Sequence, residues 1–384
     1  MNNKPLTYDS LKTVILYMNP NTRFLISSQI PSIRSVEKFV PLKLESLEIG
    51  NHSIEVNETV YSYGLYQIDS KDSPPYQVSG YTPDGRWICE MNEFVRSKKR
   101  SNNPRQAQER TILGRIKSMI FGNKSSNRSS NRNNDFPRFE VHLIKEEQEN
   151  SCSHVIERIE YTGDFHKAEE SLRELMFAKR RDAVVVKKFI INQECPIRMP
   201  SDLKIRAKEL IINNKISTNL EFVKPIIDES YLPFERLELL VEWGNDTEEI
   251  DYEFIKNSKF LEYHHTSQLQ FEQIQVLRNP RVHFSTSSHS FLRGQDFIWL
   301  IRDWIDNEKP IDTCFTFSSS LFEEYYSIKL FKYVRERFDE AIVGNKCVNI
   351  PMRNSTILKI SYKLDKHPYY LIKMAVVHFG KTSD

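Results

Sequence analysis

One pattern recurs along the chain: an apolar residue, two others, an apolar residue, one other, an apolar residue. It appears as Leu44, Leu47 and Ile49, as Val186, Phe189 and Ile191, as Ala207, Leu210 and Ile212, and as Phe234, Leu237 and Leu239. Weaker copies are Ser258, Leu261 and Tyr263, then Pro280, Val282 and Phe284, then Phe315 and Phe317, then Ile357, Ile360 and Tyr362. From Phe189 the central positions step by 21, 27, 24, 21, 33 and 45 residues. The first four steps fall in the ~20–29-residue period of leucine-rich repeats. Each copy reads as a short strand with two inward residues. Helical stretches lie between them. Phe297, Leu300, Ile301, Trp304 and Ile305 share one face of a helix, and so do Phe322, Tyr325, Leu330, Phe331, Val334 and Phe338. A single strand–helix unit cannot bury its apolar face, whereas stacked units bury a continuous core. The pattern therefore predicts an α/β fold built as a degenerate leucine-rich-repeat-like solenoid. An ordinary α+β domain with alternating strands is the competing reading.

Ahead of the repeats the period changes. Leu11, Val14, Ile15 and Met18 fall at i, i+3, i+4 and i+7, on one side of a helix that Thr7 can cap. Pro20 stops it, because the residue before a proline is pushed out of the α region. Asn19 and Pro20 then read as N-cap and first turn of a second helix carrying Phe24, Leu25 and Ile30. Ser32 can cap a third helix, with Ile33, Val36 and Phe39 inward. Three such helices bury too little apolar surface to stand alone. They need the rest of the chain or another protein.

The segment "PLTYDSLKTVILYMNPNTRFLISSQIPSIRSVEK" resembles a divergent F-box, with short helices, a proline break and an Arg soon after. Its opening is Pro5-Leu6 where the motif has Leu-Pro, and the motif's late Cys and Trp are missing. The resemblance implies docking on a Skp-family linker of a cullin ubiquitin ligase through Leu11, Val14, Ile15 and Met18. A cap on the following domain is the alternative. The stretches "HVIERIEYTG", "VVVKKFIIN", "NPRVHFSTSSHSFLRGQDFIWLIRDWIDNEKPIDTCFTF" and "VNIPMRNSTILKISYKL" extend the likeness. Together with the opening they resemble a nematode-expanded family of uncharacterised proteins that pairs an F-box-like N-terminus with leucine-rich-like repeats. The expected organisation is a helical head (1–41), a first strand repeat with β-hairpins (42–95), a basic disordered insert (96–135) and an α/β repeat domain (136–384).

Charge changes the picture at one place. The chain's net charge is +2, yet residues 96–133 hold eleven Lys and Arg against Glu109 alone, so the remainder is near −8. Arg96, Lys98, Lys99 and Arg100 form a nuclear-import-like cluster. Gln106–Phe121 reads as a basic amphipathic helix, and residues 122–135 are too polar to bury a core. Membrane-surface docking by that helix is a further reading, whereas nucleic-acid binding is disfavoured with Phe121 as the sole aromatic there. No run reaches the ~18 apolar residues of a membrane span, and no export signal opens the sequence. Five scattered cysteines form no C-x-x-C pair, which fits reduced thiols in the cytoplasm or nucleus.

Catalytic motifs are not found. Gly122-Asn123-Lys124-Ser125 lacks the glycine before lysine that a phosphate-binding loop requires. Cys152 with His154, and His264 with His265, have no second half at zinc-ligand spacing; His264 reads as a hydrogen-bonded strand residue. The expectation is a non-enzymatic protein-interaction scaffold with no cofactor or metal. It would bind a protein client, and it would serve as a ubiquitin-ligase adaptor if the head docks on a linker.

Overall fold

The computed structural model describes residues 7–68, 76–81, 87–88, 138–147, 152–160, 165–192, 199–213, 215–241, 250–265, 270–286, 290–319, 324–364 and 370–379. The insert at 96–135, with Arg96, Lys98, Lys99 and Arg100, lies outside the described residues.

Three helices open the chain: α1 (Tyr8–Tyr17), α2 (Pro20–Gln29) and α3 (Pro31–Lys38). Their caps follow from the residues at their ends. Thr7 accepts from the Ser10 amide, and Asn19 accepts from the Asn21 amide with Pro20 in the first turn. The third helix corrects the expectation of a Ser32 cap. It begins at Pro31 with Ile30 as N-cap and has no side-chain cap. Proline's fixed φ and missing amide suit the first helical position, so the helix starts one residue before the serine could serve. Phe39, expected inward, is exposed.

Strands β1 (Lys43–Gly50), β2 (Ser53–Val56), β3 (Thr59–Ile68), β4 (Tyr76–Tyr81), β5 (Trp87–Ile88), β6 (Arg138–Glu147) and β7 (Cys152–Glu160) follow. They pair antiparallel from β1 through β2 and β3 to β6 and β7, with β4 also beside β3 and β5 beside β4. Helix α4 (Phe165–Phe177) leads into β8 (Val184–Asn192). The chain continues through β9 (Ile205–Asn213), α5 (Ile216–Val223), β10 (Arg236–Val241), α6 (Tyr252–Ile255), β11 (Phe260–His265), α7 (Phe271–Gln275) and β12 (Arg281–Thr286). Then come α8 (Ser290–Arg293), α9 (Gln295–Asp306), β13 (Cys314–Ser319) and α10 (Glu324–Arg335).

Strands β1, β8, β9, β10, β11, β12 and β13 are parallel neighbours in that order. Their register lines up the repeated pattern. Leu47, Phe189, Leu210, Leu237, Leu261, Val282 and Phe315 form one row across the sheet. Ile49, Ile191, Ile212, Leu239, Tyr263, Phe284 and Phe317 form the next. Both rows are buried and belong to one core with residues of α4 to α10. At the β12–β13 end the packing is aromatic. Phe284 stacks on Phe317 at 5.1 Å between ring centroids, and Trp304 meets Phe315 edge-on at 4.8 Å.

The last strand-like copy departs from the expectation. Strands β14 (Ile342–Val343), β15 (Cys347–Pro351), β16 (Thr356–Leu364) and β17 (Tyr370–His378) form an antiparallel meander. Strand β17 pairs antiparallel with β13 and so closes that edge of the parallel run. Within β16 the buried residues are Leu358, Ile360 and Tyr362 in strict alternation, and Ile357 is half-exposed. A plain antiparallel strand alternates with period 2, so the two-residue gap of the repeats does not apply there. In α10, Leu330, Phe331 and Val334 are inward as expected, but Tyr325 is 57% exposed. It sits in the first turn, beyond the core's edge.

Candidate functional site

The helices cover one face of the parallel run. The opposite face is made by the residues between the inward ones. One row there reads Glu48, Ile190, Ile211, Glu238, Glu262, His283, Thr316 and, on β17, Lys373. All except Ile211 are partly or fully exposed. Such stacking puts like charges side by side, because Glu238 on β10 is directly opposite Glu262 on β11. Like charges in that position repel. Two cations resolve the conflict, each two residues away on the same strand face, as the strand period requires.

Arg236 on β10 donates from Nη2 to Glu238 Oε2 at 2.9 Å and to Glu262 Oε2 at 2.6 Å. His264 on β11 places Nε2 3.3 Å from Glu238 Oε1 and 3.2 Å from Glu262 Oε1. Each carboxylate thus offers one oxygen to the guanidinium and the other to the imidazole. Contact with Glu238 first and Glu262 second raises the His264 pKa to about 9, against the opposing cost of burial. His264 in turn, aided by Arg236, pulls Glu262 down to about 2. The cluster is half-buried and formally neutral with His264 protonated. One strand further, His283 exchanges hydrogen bonds with Thr316 Oγ1 at Nδ1 (2.8 Å) and Ser318 Oγ at Nε2 (3.1 Å).

The linear sequence hid this cluster because Glu238 stands well upstream of Glu262 and His264. Aligned copies could have revealed it, since Leu237-Glu238-Leu239 and Leu261-Glu262-Tyr263 put glutamate at one repeat position. The side chains of His265, Cys152 and His154 fall outside the described ones. Among the described residues, Cys314 and Cys347 are free thiols.

The four expected linker-docking residues do not share one exposed face. Ile15 is 2% exposed, Leu11 and Met18 are half-buried, and Val14 is 45% exposed. Leu16 and Tyr17 join Val14 at the surface of α1. The head is tied to the body by buried polar contacts. Asn21 donates to Val56 O at 3.2 Å and Thr59 Oγ1 at 2.8 Å, and Tyr61 donates back to Asn21 Oδ1 at 3.1 Å. Glu37 accepts from Arg23 within the head (Nε, 3.1 Å) and from Arg180 after α4 (Nη2, 3.0 Å). Lys38 reaches across to Leu175 O at 2.5 Å. It lines a cleft of about 1080 Å³ between the head, α4, β6 and β7.

These observations define a mixed α/β protein with one large sheet and a helical N-terminal head. Residues 164–320, which run from α4 through β13 and include the Arg236 cluster, match a family model described as "Domain of unknown function (DUF3557)". No curated protein and no solved structure matches the chain. No helix among the described residues is long and apolar enough to cross a membrane.

Proposed function

We propose that this protein is a non-enzymatic interaction scaffold of the cytoplasm or nucleus. In this reading β1 and β8–β13 are a degenerate leucine-rich-repeat-like solenoid, and their open face binds a protein client. The observation that carries it is the asymmetry of the parallel run. Parallel sheets ordinarily have both faces covered. Here the helices and the buried rows share one side, and the other presents charged and hydroxyl side chains from strand after strand. Stacked repeats present extended surfaces of this kind to partners.

The test is quantitative affinity purification of the intact chain with two sets of charge reversals. Lys188→Glu, Arg281→Glu and Lys373→Glu alter exposed residues of the open face. Glu221→Lys, Glu272→Lys and Arg335→Glu alter exposed residues of the helix side. Selective loss of bound proteins from the first set supports the reading. Equal recovery by both sets refutes it.

A second reading rests on the apolar surface of α1. Val14 and Tyr17, three residues apart on one side of the helix, are both exposed, which suits docking on a Skp-family linker and an adaptor role in a ubiquitin ligase. Val14→Glu with Tyr17→Glu should then abolish co-purification of such a linker without lowering the melting temperature. If the linker is absent from wild-type purifications, the head acts only as a cap on the first strands.

A further inference from the structure

We propose that Glu238, Glu262 and His264 form a binding site for a divalent transition-metal ion of the zinc type on the open face of the sheet. The proposal goes beyond the scaffold reading and does not depend on it.

Three features of the geometry carry it. The first is ligand spacing. Donor atoms about 2.0–2.1 Å from a tetrahedral zinc stand about 3.3 Å from one another. His264 Nε2 already lies 3.3 Å from Glu238 Oε1 and 3.2 Å from Glu262 Oε1, and the three ligand atoms lie within 4.8 Å of one another. The second is how the carboxylates are held. Arg236 takes the Oε2 atom of each glutamate and leaves both Oε1 atoms directed at the imidazole. Ligating carboxylates are commonly fixed by such outer hydrogen bonds, so Arg236 acts as a positioning residue rather than an occupant of the ligand space. The third is the place of Nε2, which is shielded from solvent and faces both Oε1 atoms at 3.3 and 3.2 Å, so that an ion there would meet all three donors at once.

A metal ion entering this point replaces the proton of His264, since imidazole binds metal only as the neutral ring. One imidazole nitrogen and two carboxylate oxygens supply three ligands, and the half-exposed face leaves a fourth position to water or to a partner's side chain. Imidazole with carboxylate is a donor set that suits zinc.

The experiment is titration of the intact chain with zinc chloride, followed calorimetrically, and with cobalt chloride, followed by visible absorption. The expected result is one equivalent bound in the micromolar range, with the d–d bands of a tetrahedral cobalt site and no thiolate charge-transfer band. His264→Ala and Glu262→Gln should weaken binding by about 100-fold or more, since loss of even an outer-shell partner costs about 10–100-fold. His283→Ala, one strand away, should bind as the wild type does. His264→Gln substitutes for the alanine variant if that one melts early. Three results would overturn the proposal. They are no binding in the micromolar range, undiminished binding by the folded His264 and Glu262 variants, and a thiolate band, which would place the ion on Cys314, Cys347 or another cysteine.

Discussion

Lys38 carries its amine into the joint between head and body, where it meets Leu175 O and faces Arg34 and Arg180 as well as Glu37 and Asp202. Burial first, and then Arg180, lowers its pKa to about 7 from the ordinary 10.5. Between about pH 7 and 10.5 the unfolded chain holds a proton there that the folded chain has released, so this group makes stability rise with pH across that window. Lys38→Met has no such titrating group. The wild type should therefore gain on the variant in denaturant melts as pH is raised from 7 to 9.5, and parallel profiles would contradict the assignment. Single residues also test the register. Leu210 and Leu237 are adjacent in the buried row, and truncating either to Ala should cost on the order of 2–5 kcal/mol. Lys208→Ala, at an exposed site, should stay within about 0.5 kcal/mol. Equal losses at Leu210 and Lys208 would mean that the strand phase is misread. Much of this was legible from the spacing of apolar residues alone, because inward positions obey one local rule. The role of Glu238 was not. Its contacts with Arg236, Glu262 and His264 depend on which strand lies beside it, and that is settled by register rather than by sequence neighbours.

Among the elements, the head shows where local signals suffice and where they fail. Proline positions and side-chain caps marked two of its helices, since capping is a matter of a few consecutive residues. The face it buries could not be read the same way. An apolar stripe says that a helix needs cover, and the cover here divides the stripe, taking Ile15 in and leaving Val14 out. Ile15→Glu should accordingly destabilise the head by several kcal/mol, as a buried unpaired carboxylate does, whereas Val14→Glu should not. A thermal melt of the two variants checks this, and equal melting temperatures would contradict it. Glu37 is the joint's sharper test. It accepts from two buried guanidinium groups, so Glu37→Gln leaves positive charge unpaired in the interior and should cost about 3–5 kcal/mol by denaturant melt. A loss below about 1 kcal/mol would mean that water reaches the joint. At the other end, the strand-like copy at 357–362 misled because its apolar residues mimic the repeat. Its antiparallel pairing with β15 and β17 is a long-range choice that the copy itself does not encode.

For the whole molecule, the parallel run, the antiparallel strands β2–β7 joined to its first strand and the antiparallel meander on its last make one continuous sheet. A row of aliphatic side chains with aromatic ones at its far end binds neighbouring strands together, while charge is sorted to the opposite face. That sorting is the physical basis for the scaffold proposal, which puts the client on the open face. Cross-linking mass spectrometry of the purified complex with a lysine-specific reagent tests the location most directly. Lys188 and Lys373 are exposed on the open face, while Lys329 and Lys332 are exposed on α10 at the helix side. Intermolecular cross-links are expected at Lys188 and Lys373. Intermolecular cross-links confined to Lys329 and Lys332, with the open face free of them, would contradict it.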